Sequence, residues 1–502
     1  MEVSRGVGGA RRGGQEEGQP RLTRRALLQR AASLGVAAST LGALDLLAWT
    51  PQRAAAATSS SLPEVQFAIE KYIAPAFSME GVLVRFGPLY TAFATMALSR
   101  VPTAADQATL SRAMATIEST YAFSPAGVFA SLAYGVPYFE RLPGGLAGPL
   151  VSGHMPRLTS EPQRFALEEA QPAPTDVAAG NPGVGKLRFN VPVQIEANDM
   201  LLTLRSDSSA IIDDVLSWLG GGSSTLNGRP VGDSGLGGLI AVTSRRLMFN
   251  QLGLPRKVAG EHGLPYAESI NPQSPMWMGF VDQQVGTSAP PPSTTFLGSS
   301  AAKLTNARSG DYFDHGSIVH LSNVILDLEQ FYARPKETYV HRVAYMFRSD
   351  PVPRTGNADQ FTNGGGPTAV INKFGTTEDA AHEATGAGTF DSQPRIGHTT
   401  ALQRSSRAYN RTPLHIRVDG PGFDSLDVPD GSQQPKLHFS VYVPTADFFL
   451  TMRRNQASPD LVKQNNVPPE NVGLERFITT TRRQNFLVPP RRHRAFPLAE
   501  FA

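Results

Sequence analysis

The hydrophobic period of the chain switches between about 2 and about 3.6 residues in a fixed order, and that order restricts the fold more than any other feature. Val82, Val84 and Phe86 alternate as a strand. Thr103 and Asp106 can cap a helix running to about Glu118, and Val128, Ala130, Leu132 and Tyr134 then alternate again. Leu187, Phe189, Val191, Val193 and Ile195 make a further alternation, followed by a short strand at Met200 to Leu204. Ile211, Ile212, Val215, Leu216 and Leu219 return to helical spacing before a strand at Leu239 to Thr243. Strand, helix, strand, strand, helix, strand is the split β-α-β order of a ferredoxin-like unit.

The second half repeats the pieces. Ser317 to Leu328 is extended apolar sequence, Pro335 can open a helix, and Leu437, Phe439, Val441 and Val443 alternate. A strand-to-helix step at VPTADFFLTMRR matches the one at Leu204 to Leu219. The expected fold class is α+β: two ferredoxin-like halves with antiparallel sheets, spanning 58–270 and 271–502. Gly-, Pro-, Ser- and Thr-rich stretches at 170–185, 220–238, 287–295 and 355–368 connect the elements. Such a pairing leaves a cleft between sheet and helices in which a large flat cofactor can lie.

Residues 1–57 stand apart as a targeting segment. Arg24 and Arg25 follow Thr23, an Ala-rich apolar run extends to about Trp49, and Ala54 to Ala57 offer small residues for cleavage. That is the layout of a twin-arginine export signal. A membrane anchor is the competing reading, but it wants roughly 20 clean apolar residues, and this run carries Asp45. The expected partner is the twin-arginine translocation machinery, and the expected location is periplasmic or extracellular. This route accepts proteins that have already folded, often around a cofactor. Removal of 1–57 takes away eight arginines and four acids, leaving 38 basic against 39 acidic residues. The sequence pI of about 9.0 therefore belongs mostly to the signal and is no argument for nucleic acid. The chain has no cysteine, which excludes disulfides, zinc–thiolate sites, iron–sulfur clusters and cysteine catalysis.

Several fragments occur in an order that resembles the dye-decolorising peroxidases, a family of haem enzymes, over most of residues 75 to 490. GVPYFERL (Gly135 to Leu142) and LLTLRSDS come first, then MGFVDQQVGTS, in which Gly279, Phe280, Val281 and Asp282 match the family's GxxDG motif. Gln283 replaces its closing glycine. GSIVHLSNVILDL, ETYVHRVAY, RIGHTT with His398, LHIRVDGPGF with Arg417, and KLHFSVYV complete the series. The resemblance implies one haem b per chain. His398 would be its axial ligand and hence the metal ligand, Asp282 the distal acid–base, and Arg417, nineteen residues after His398, the distal cation. It also implies Arg342 beside a haem propionate and Phe439 in the distal pocket. Hydrogen peroxide would be one substrate and an unknown reductant the other, with self-association allowed.

Haem peroxidase chemistry needs a neutral imidazole on the iron, a base to move the peroxide proton, and a fixed cation for developing negative charge. Plainer readings stand beside each residue. Asp282 can cap a turn, Arg417 can pair with Asp419 on the surface, Arg342 can lie on a solvated helix face, and Phe439 can belong to an ordinary core strand. His415 competes with His398, but in a strand it would share a face with Arg417 and crowd one side of a porphyrin. A haem carrier with little turnover, or a fold that has lost haem, remains the alternative function. GDSG at Gly232 to Gly235 reads as a flexible loop rather than a protease motif, and the basic RRQNFLVPPRRHR segment as a solvated tail.

Overall fold

In the computed structural model the described residues are 62–502, apart from 74–76, 80–81, 85–86, 174, 177–184, 271, 273, 279–290, 301–303, 333–414, 458, 465 and 467–473. They belong to one compact unit, Pro51–Ala502. The export signal, the Pro335 helix, Asp282, Gln283, Arg342 and His398 lie outside the described residues.

Ten strands form the main sheet: β1 (Tyr90–Leu98), β2 (Phe129–Gly135), β3 (Gln194–Ile195), β4 (Met200–Ser206), β5 (Ile240–Phe249), β6 (Ser317–Leu326), β7 (Ile416–Arg417), β8 (Gly420–Asp424), β9 (Gln434–Val443) and β10 (Ile478–Val488). Within the first half the order β5-β1-β4-β2 is that of a ferredoxin-like unit, with α1 (Ala104–Thr120) and α2 (Ser209–Leu219) as its helices. The second half repeats it as β8-β9-β6-β10, with α3 (Ala446–Ala457) between β9 and β10. The pairing is antiparallel throughout, except for β3, which runs parallel to β10. The α+β class with antiparallel sheets in two ferredoxin-like halves is therefore the observed one.

The two sheets are joined into one. β5 meets β8 at Met248 and Gly422, and β2 meets β10 at Tyr134 and Gly135 opposite Leu487 and Phe486. Because β6 pairs with both β9 and β10, the path of strands closes into an eight-stranded barrel. Strand alternation then gives each half an inward and an outward face. Phe93, Leu201, Met248, Val319, Leu321, Tyr442 and Phe486 meet inside, drawn from both halves. The outward faces are covered by helices: Leu110, Met114 and Ile117 of α1 and Ile212 and Val215 of α2 pack with Met96, Leu132 and Met200.

Three sequence expectations change. Val82–Val84 forms only a two-stranded hairpin with Phe77–Met79, and the first barrel strand is Tyr90–Leu98. Of the alternation from Leu187 to Ile195 only Gln194–Ile195 is strand, and Leu187 is 69% exposed. The C-terminal basic segment is not a solvated tail. It is β10 and the segment after it, with Arg483 paired to Asp176, Arg491 and Arg494 both to Glu118, and Arg492 to Asp314. Phe496 and Leu498 beyond it are fully buried.

Candidate functional site

The described candidates, Arg417 and Phe439, come together on the outward face of the second half. Arg417 of β7 stands opposite Val441 of β9, and Phe439 is the next residue of β9 on that face. Across β9 the same row continues through His320 of β6 to Asn485 of β10, while Phe439 faces Ser322 and then Arg483. The sheet thus lays a half-buried arginine and phenylalanine at one side and a polar, fully buried patch at the other.

Helix α3 closes over this face. Phe449 stacks on His320 with ring centroids 3.4 Å apart and lies 5.9 Å from Phe439. His320 Nδ1 is 2.7 Å from Asn485 Oδ1, and its Nε2 is 2.6 Å from Ser322 Oγ. Asn485 spends its Nδ2 on the Glu168 carbonyl, so its Oδ1 must accept and the histidine proton sits on Nδ1. Burial, aided by the Arg483 charge, pushes the His320 pKa well below the ordinary imidazole value, so the ring is neutral.

Behind the histidine lies a run of paired charges. Arg483 holds Asp176 through two contacts of 2.7 and 2.8 Å, and Arg453 holds Glu475 through two of 3.0 Å. Thr175 joins the second pair, donating to Glu475 and accepting from Arg453 at 3.0 Å. Burial alone would raise the Asp176 and Glu475 carboxyls, but their arginines outweigh it and hold both below the usual range. Lys186 reaches the Thr175 carbonyl at 3.5 Å, and burial lowers its pKa to about 8. Arg453 thus ties α3 to Glu475 just before β10, and Asp176 is tied to Arg483 of β10 itself.

The reading in which Arg417 meets Asp419 has physical content. Burial raises the Asp419 carboxyl pKa and the Arg417 charge opposes that rise. His415 is buried, at 2% exposure. GDSG is no catalytic loop and is better anchored than a flexible connector: Ser234 is buried and gives its hydroxyl to the Leu219 carbonyl at the end of α2, while Trp218 donates to Gly232 O. Sequence reasoning missed His320 and the Asp176–Arg483 pair. The signal available was His320 and Ser322 two apart in an apolar strand, which aims both at one face.

Among the described residues no group of three or more His, Cys, Asp or Glu is placed to hold a metal ion. None of their helices is long and apolar enough to cross a membrane.

The family model that matches spans residues 165–490, most of the barrel and all of the face just described, and its description is a family of unknown function, DUF7405. The chain belongs to DUF7405. No curated protein matches this DUF7405 chain. Among solved structures it is similar to the encapsulated DyP-type peroxidase from Mycobacterium smegmatis, at 14% identity and a TM-score of 0.44, over 81% of this chain and 94% of that one. The DyP-type peroxidase from Cellulomonas bogoriensis gives 14% identity and a TM-score of 0.46, over 84% and 95%. A variant of DypB from Rhodococcus jostii RHA1, solved in complex with heme, gives 13% identity and 0.45, over 85% and 98%.

Proposed function

We propose that this DUF7405 member is an exported haem peroxidase that uses hydrogen peroxide to oxidise a reductant. The observation that carries the reading is that Arg417 and Phe439 share one outward sheet face on either side of the Val441 register position, in a sequence that presents Asp282 and His398 in the family's order. The donor set fits haem: an imidazole to ligate, a carboxylate to move protons, a guanidinium for negative charge, and apolar side chains against a flat ring.

When bound, haem supplies the redox-active iron. His398 would hold that iron from one side, and Arg342 would meet a propionate. Asp282 would accept a proton from one oxygen of hydrogen peroxide and return it to the other, so that water can leave. Arg417 would present a fixed positive charge to the oxygen on which negative charge develops. Its backbone in β7 is paired to β9, so the main chain that carries it needs little reorganisation when charge appears. Phe439 would exclude water from the same side. Export of the folded, loaded protein through the twin-arginine route is part of the proposal and rests on Arg24, Arg25 and the apolar run behind them.

The test is the absorption spectrum of the mature protein, purified from cells supplied with haem precursor, beside that of His398→Ala. A Soret band that shifts or vanishes in the variant supports the reading. Absence of the band in the wild-type protein overturns it. With haem retained, Arg417→Ala should lower peroxidase turnover by roughly a hundred-fold or more, the scale of a lost charge-stabilising donor.

A further inference from the structure

The inward side of the barrel carries a second polar assembly, which the haem reading does not use. Arg246 of β5 is fully buried and directs Nη2 at both oxygens of Glu196, at 2.5 Å each. Glu196 also accepts from Arg482 Nη1 at 3.2 Å, and Arg482 grips Asp427 through two contacts of 2.7 Å. Lys436 of β9 donates to the Leu426 carbonyl at 2.5 Å and lies 3.8 Å from Asp424, whose other oxygen is 3.2 Å from His438 Nε2. Gly422 makes room for that imidazole, since a Cβ there would overlap the ring. Three cations and three carboxylates alternate here and cancel.

Hydrogen bonding does not cancel. Among the described residues eight buried side-chain nitrogen or oxygen atoms have no hydrogen-bond partner. Five of them, Arg246 Nε and Nη1, His438 Nδ1, Asn323 Oδ1 and Ser440 Oγ, belong to this assembly, and a sixth, His438 Nε2, has the Asp424 carboxylate at 3.2 Å but no well-aligned hydrogen bond to it. Asn323 lies opposite both His438 and Arg482 in register, and Ser440 is the next inward residue of β9. Each unmet polar atom costs about 1–3 kcal/mol when buried, so a cluster of them calls for a partner that the protein's own groups do not supply, a water or a bound ligand. Donors are in excess, because Arg246 alone offers three N–H groups and Ser440 a hydroxyl. The complement is an acceptor-rich ligand, and a flat guanidinium favours a flat one.

We propose that the barrel interior binds one small planar oxyanion, held by Arg246 Nε and Nη1 with Ser440 Oγ and His438 as further donors. The groups facing His438 are Asp424 from β8, Lys436 from its own strand, Arg246 from β5, and Asn323 with Arg482 beyond it from β6 and β10. Burial and the two nearby cations keep the imidazole uncharged against the pull of Asp424. An arriving anion reverses that balance, so His438 takes up a proton as the anion binds and the interior stays neutral.

Calorimetric titration of the mature protein with sodium formate and sodium nitrate, near pH 7 in two buffers of different ionisation enthalpy, tests this. The expected result is saturable 1:1 binding with about one proton taken up per anion, no saturable binding of tetrahedral perchlorate, and about ten-fold weaker binding in Ser440→Ala. Arg246→Met should abolish binding; if that variant does not fold, Ser440→Ala decides alone. An anion held on haem iron instead would shift the Soret band and bind Ser440→Ala as well as wild type, which overturns the proposal. So does the absence of saturable heat with either planar anion.

Discussion

Asp176 and Arg483 are 2% and 1% exposed, so each charge depends on the other for its stability in the interior. Removing one partner leaves the other buried and unpaired, at a cost of about 3–5 kcal/mol. Asp176→Ala should therefore lower the free energy of urea unfolding by that amount, whereas deletion of the partly exposed Lys257–Glu261 pair should cost less than about 1 kcal/mol. Lys436 gives a pH prediction. Burial lowers its pKa from 10.5 to about 8, so between these values the unfolded chain binds more protons than the folded one. The penalty for keeping Lys436 charged thus applies below pH 8 and fades as pH rises towards 10.5. Wild type should gain stability relative to Lys436→Met over that window, and an unchanged difference in denaturation midpoints from pH 7.5 to 10 would count against it. At this scale the sequence was informative where a residue lies in a well-formed alternating strand. The alternation that holds Phe439 was legible in advance, whereas its sharing of a face with Arg417 was not. Asp176, in a Pro- and Ala-rich connector, gave no local hint of its partner 307 positions away.

Among the elements, α1 shows how local chemistry sets a boundary. Thr103 accepts from the Asp106 amide at 3.3 Å and Asp106 accepts from the Thr103 amide at 2.8 Å, a complete capping box. Thr103→Ala should cost about 1 kcal/mol, measurable as a lower urea midpoint with an unchanged slope. That cap was readable in the sequence, as were α2, α3, β6 and β9. β1 was not, because eight of its nine residues are buried and a strand covered on both faces loses its period of two. The opposite error arose at 187–193, where four apolar residues alternate but no neighbouring strand takes up the hydrogen bonds. Alternation is a property of a strand that has found a partner, and Leu187 faces solvent instead.

For the molecule as a whole, ring closure had no local signature, since it depends on registers between segments hundreds of residues apart. The fragments that resemble a known family pointed to the two halves but not to their fusion. The inward cluster mixes Phe93, Leu201 and Met248 with Val319, Leu321, Tyr442 and Phe486, so neither half can complete its core alone. A fragment of 58–270 should accordingly melt without a cooperative transition and bind a hydrophobic dye, while 58–502 unfolds in one step. The joints between the halves are narrow in backbone terms: one residue pair on one side and four on the other, where β2 and β3 each give two to β10. A hoop fastened at two short clasps is strong against shear, because its filling spans the joint, yet each clasp can part with the loss of only a few hydrogen bonds. The amides at these clasps should therefore exchange sooner than those of β6 or β9, and the β5–β8 clasp lies beside the charged interior of Arg246, Lys436 and His438.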